Sequence, residues 1–93
     1  MGIKTYSISE TAELLKGKGI NVVLDGSTTL YVPGEMLLHK EEGVYKLNVQ
    51  DEDGIKLIMS TADEDKICRE ILKKYGVKTV MRTVKKGTDN GAK

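Results

Sequence analysis

Tryptophan and phenylalanine are absent from this chain, and cysteine, histidine and proline occur once each. Without Trp or Phe, four Tyr are the only aromatics, so the core has to be built from Leu, Ile, Val and Met. A lone thiol, Cys68, excludes an internal disulfide and fits a reducing compartment. One His and one Cys cannot complete a tetrahedral zinc site without two carboxylates. No run approaches the ~18 apolar residues of a membrane span. No hydrophobic signal core follows Met1, and Tyr6 stands where a myristoylation site wants Ser or Thr. These absences lead to the expectation of a soluble, cytoplasmic protein without membrane contact and without a cofactor.

What is present is charge, unevenly placed. Residues 1–65 carry six Lys against twelve Asp and Glu, a net of −6. Residues 66–93 carry nine Lys and Arg against two acids, a net of +7, and the two halves sum to the overall +1. Charge asymmetry of this kind speaks to partners rather than to fold. At 93 residues the chain is one small domain, expected over 1–86, with a mobile tail over 87–93 that has almost no apolar content. A domain this size is marginally stable alone, so dimerisation through a sheet edge or face is a fair expectation.

Ser7 or Ser9 can cap a first helix whose apolar face is Ile8, Ala12, Leu14 and Leu15, and Lys16-Gly17-Lys18-Gly19 stops it. Ile20–Asp25 reads as a strand ending in an Asp25-Gly26 turn, and Thr28–Val32 as its return. Pro33-Gly34 suits the centre of a type II turn. Glu35–His39 fits a strand or one helical turn. Tyr45, Leu47 and Val49 alternate with polar residues, as do Ile55, Leu57 and Met59 with Lys56 and Ile58, around an Asp51–Gly54 loop. That pattern predicts an antiparallel hairpin with one buried face. Thr61 and Glu64 have capping-box spacing before a second helix whose apolar stripe is Ile67, Cys68, Ile71, Leu72 and Tyr75, with Gly76 at its end. Val77–Val84 reads as a last strand. The fold class is α+β: a mainly antiparallel sheet of four to six strands with two helices, in the order α-β-β-(β)-β-β-α-β, and both helices on one sheet face.

The candidate binding residues come from the basic third. Lys66, Arg69 and Lys73 are spaced to share one helix stripe, and Lys78, Arg82 and Lys86 alternate along the expected last strand. Together they could form a ridge that neutralises phosphates, although lysines also close helices and guard strand edges. Asp51-x-Asp53-Gly54 has the opening of a calcium loop but lacks its later ligands. A Cys68–His39 nucleophilic pair is conceivable, yet Cys68 falls within an apolar helix stripe, where a thiol packs rather than reacts.

Tyr6–Leu15 resembles the opening helix of MerR-like and excisionase-type winged-helix domains. The likeness ends at Ile20–Asp25, a β-like run where those families place a recognition helix, so it carries over no DNA-contact residue. The order helix–strands–helix is similar to double-stranded-RNA-binding domains, whose lysine pattern is replaced here by Ala62-Asp63-Glu64-Asp65. The expected function is that of a small non-enzymatic accessory or regulatory protein that docks on a macromolecule through a bipolar charged surface, a protein before a nucleic acid. The alternative is nucleic-acid binding through the six basic residues.

Overall fold

The computed structural model of the chain describes residues 4–79. Ser7 holds extended backbone, and its hydroxyl accepts the Glu10 amide at 3.1 Å, opening helix α1 (Ile8–Gly17). At the far end Ile20 N donates to Leu15 O at 3.1 Å and Gly19 N to Lys16 O at 2.9 Å. This Schellman closure needs the left-handed backbone that Gly19 adopts at φ +84°. Helix α2 (Glu64–Lys74) ends in the same way. Val77 N donates to Leu72 O at 2.8 Å, Gly76 N donates to Lys73 O, and Gly76 has φ +74°.

Between the helices run β1 (Val23–Asp25), β2 (Thr29–Val32), β3 (Met36–Glu41), β4 (Val44–Asp51) and β5 (Gly54–Thr61). They form one antiparallel sheet in chain order. The α+β class, the antiparallel sheet and its two helices are as the sequence predicts, and of Glu35–His39 all but Glu35, which belongs to the preceding turn, resolves as strand. Pro33-Gly34 makes the expected turn, with Glu35 N donating to Val32 O at 2.9 Å and Gly34 at φ +78°. The β3–β4 turn is Glu42-Gly43, with both residues at positive φ (53° and 81°), the primed geometry that matches strand twist.

The register sorts side chains into rows. Leu24, Leu30, Leu38, Leu47 and Met59 are successive cross-strand partners from β1 to β5. Val32, Met36 and Val49 form a second row on the same face. Both rows pack beneath the helices, α1 over β1 and β2, and α2 over β4 and β5. The helices contribute Ile8, Ala12 and Leu15 from one and Ile67, Cys68, Ile71 and Leu72 from the other, all fully buried.

Three expectations need correction. The β5 alternation does not bury Ile55, Leu57 and Met59 together. Leu47 pairs with Met59 but Asn48 with Leu57, so a bulge at Ile58 adds one residue and reverses the facing of everything before it. Met59 packs on the core, whereas Ile55 and Leu57 point away from the helices. The Thr61–Glu64 capping box does not form either. Asp63 is the N-cap, its carboxylate accepting the Lys66 amide, while Thr61 Oγ1 accepts the Asp63 amide at 3.1 Å. The first strand is also shorter than Ile20–Asp25, because the Schellman turn consumes Ile20. Of the expected last strand, Val77–Thr79 is irregular, and residues 80–84 and the tail lie outside the described residues.

Candidate docking surfaces

The helix layer concentrates charge. Glu64, released from capping its own helix, accepts the Ile8 amide of α1 at 2.9 Å. Asp65 Oδ1 accepts the Tyr6 amide at 2.7 Å, and Asp65 Oδ2 accepts from Arg69 Nε at 2.9 Å. Arg69 Nη2 donates to Lys4 O at 2.9 Å, and the guanidinium lies 5.0 Å from the Tyr6 ring centre. These bonds clasp the chain before α1 onto α2, so both helix N-termini meet at one place. Glu10, Asp63, Glu64 and Asp65 border the hollow formed there. Lys4, paired with Glu10, and Arg69, paired with Asp65, offset part of that charge, and Lys66 stands in the first turn of α2. Further basic residues sit at the other ends: Lys16 and Lys18 closing α1, and Lys73, Lys74 and Lys78 around the end of α2. A helix of ten or eleven residues separates such poles by about 15 Å. Each sign also complements its helix dipole, so part of the polarity stabilises the helices locally.

The predicted basic ridge is partly assembled. Lys66 and Lys73 are exposed on α2, and Lys78 is exposed in the irregular segment after Gly76. Arg69, Lys73 and Lys78 line one shallow hollow with Glu70 and Val77, while Lys66 is not among its lining residues. Arg69 is committed to the clasp rather than displayed. Arg82 and Lys86 lie outside the described residues.

The opposite surface is of another kind. Val23, Tyr31, Leu37, Asn48 and Leu57 are successive partners across all five strands, on the sheet face away from the helices. Except for Asn48 they are apolar and open: Val23 46%, Tyr31 42%, Leu37 36% and Leu57 54% exposed, joined by Ile55 at 71%. A solvated antiparallel face normally carries polar residues at such positions. A groove of about 220 Å³ opens here, lined by Tyr31, Gly34, Leu37, Asn48, Gln50 and Ile55 among others. Sequence reasoning missed this row although a signal existed. Val22-Val23-Leu24, Leu30-Tyr31-Val32 and Met36-Leu37-Leu38 are apolar at consecutive positions, and a strand that is apolar on both parities presents two apolar faces.

Cys68 and His39 are not brought together. Cys68 is buried in α2 within the core, and burial pushes its thiol up to about 12. His39 pairs with Lys46 on the outer sheet face. Beside it, the Lys46 ammonium donates to Glu41 at 2.9 Å and holds that exposed carboxyl below its ordinary range. Among the described residues no group of three His, Cys, Asp or Glu is arranged to hold a metal ion. No described helix is long and apolar enough to cross a membrane. Comparison with protein-family models, with curated proteins and with solved structures finds no match.

Proposed function

We propose that the chain is a non-enzymatic accessory or regulatory module that acts by protein–protein docking. The observation that carries this reading is the open apolar row Val23–Tyr31–Leu37–Leu57 crossing the outer sheet face, because contiguous exposed apolar surface marks protein interaction sites. The polarised helix layer supports it in a second way. Acidic and basic poles at opposite helix ends orient an approaching charged partner and speed its encounter. The separation of Cys68 from His39, and the suppressed ionisation of Cys68, weigh against thiol catalysis.

Nucleic-acid binding is the second reading, favoured by Arg69, Lys73 and Lys78 around one hollow. It is weakened by the commitment of Arg69 to Asp65 and to the Lys4 carbonyl. Affinity capture with the full chain separates the two. Docking predicts recovery of a discrete protein that Leu57→Asp abolishes and that the pair Lys73→Glu, Lys78→Glu leaves in place, with weak dependence on salt. Recovery of nucleic acid alone, falling steeply as salt rises, would overturn it.

A further inference from the structure

The geometry points to a second copy of this chain as the occupant of the apolar sheet face, giving a two-fold dimer with sheets facing and helices outward. The inference rests on the docking reading and names the partner that the sheet face takes.

Charge is the first argument. The ionisable side chains on the outer face are few, and the closest of them neutralise each other, Lys46 with Glu41 at 2.9 Å. The chain as a whole has a formal charge of only +1. Two copies therefore approach almost without repulsion, whereas strong net charge is what keeps small proteins apart. A polyanion or a strongly charged protein finds nothing complementary on this face and is better served by the helix layer.

Shape is the second. A two-fold contact requires one patch that complements itself. Here the groove lined by Tyr31, Leu37, Asn48 and Ile55 and the exposed side chain of Leu57, the cross-strand partner of Asn48, lie on the same face. A two-fold rotation sets each copy's Leu57 against the other's groove. Pairing through the β5 edge is the less favourable route. The bulge at Ile58 interrupts that edge, and Lys56, held by Asp51 and Asp53 at 3.4 and 3.7 Å, places charge beside it.

The size of the face bounds the class of contact. Five strands spaced ~4.8 Å apart and three outward rows cover a footprint of roughly 24 by 20 Å, about 500 Å² per copy. That doubles to about 1,000 Å², the lower bound of a specific interface and the size of weak, reversible contacts, for which a dilution series over about 1 to 100 μM is the working range.

Sedimentation velocity on the full chain, over a dilution series spanning that range, tests the proposal. Growth of a dimer with concentration is expected. Leu57→Asp, at a half-exposed site outside the core, should weaken it at least ~100-fold while leaving the unfolding midpoint of the dilute monomer in place, because desolvating a carboxylate opposite apolar groups is strongly unfavourable. Lys66→Glu on the helix layer should leave dimerisation unchanged. A spin label at Asn48→Cys supplies a second readout, since Cys68 is buried: two labels across a face-to-face dimer give a strong dipolar coupling that vanishes on dilution. A wild-type chain that stays monomeric throughout overturns the proposal, as does a dimer indifferent to Leu57→Asp. If the monomer still captures another protein and loses it on Leu57→Asp, the second copy is the wrong occupant while the docking reading stands. If it captures none, both fall.

Discussion

Replacing Asp65 with Asn probes the clasp that organises the helix layer. Asp65 is 5% exposed, and each carboxylate oxygen accepts a hydrogen bond, from the Tyr6 amide at 2.7 Å and from Arg69 Nε at 2.9 Å. Asn keeps one acceptor oxygen and replaces the other with a donor, so one of the two N–H groups is left facing an N–H. An orphaned donor of this kind costs about 1–3 kcal/mol, and the surviving bond loses its charge assistance. The Arg69 side chain retains 21% exposure, so water compensates it in part and holds the loss below the ~3–5 kcal/mol of a fully buried pair. The expected destabilisation is about 2–3 kcal/mol, a large share of the ~5–14 kcal/mol available to a domain of this length. Urea titration should show a lower midpoint at unchanged slope. Arg69→Met combined with Asp65→Asn should be non-additive by at least ~1 kcal/mol, since both changes remove one interaction. A loss under ~0.5 kcal/mol, or strict additivity, would refute the structural assignment of Arg69 and return it to the candidate phosphate ligands.

Leu38→Ala, at the middle of the inner leucine row and fully buried, should cost about 2–5 kcal/mol in the same titration, and a smaller loss would mean that this row is not the core. Glu42→Asn should raise stability by about 0.5–1 kcal/mol, because Glu42 holds φ 53° in a turn where Asn fits left-handed backbone more readily; an unchanged midpoint would count against the primed turn. Cys68 should resist thiol reagents in the native state at neutral pH and react only through unfolding, so rapid labelling would contradict its burial. Because its folded-state pKa lies above the unfolded one, the native state retains a proton that the unfolded state has lost between about 9 and 12. Stability should therefore fall as pH rises through that window, and Cys68→Ala should flatten the fall.

Local signals carried the fold well. Ser7, Gly19, Gly76 and Pro33-Gly34 each act through short-range backbone chemistry, and each sits where its type predicts. The helix stripes were readable for the same reason, since a period of 3.6 survives in ten residues. What escaped depends on partners distant in sequence. Glu64 stands three residues after a Thr, which suggests a box, but its carboxylate is drawn to the unpaired Ile8 amide 56 residues away. The Ile58 bulge shows in the sequence only as an apolar residue where the alternation wants a polar one, in Leu57-Ile58-Met59, which does not say where the register shifts. Tyr6 is buried because Asp65 and Arg69 hold its backbone and ring, a contact that no local pattern encodes. On the candidate site, the tally of charges located the poles of the helix layer but not the apolar row. That row emerges only when five short strands are set in register.

The central claim is that the outer sheet face, rather than the basic stripe of α2, takes a second copy of the chain. Amide chemical shifts followed from dilute to concentrated solution test it residue by residue. The account predicts that Val23, Tyr31, Leu37, Asn48 and Leu57 shift together with one apparent dissociation constant while Lys66 and Lys73 stay still. Shifts confined to Lys66, Lys73 and Lys78, or a spectrum that does not change with concentration, would contradict it.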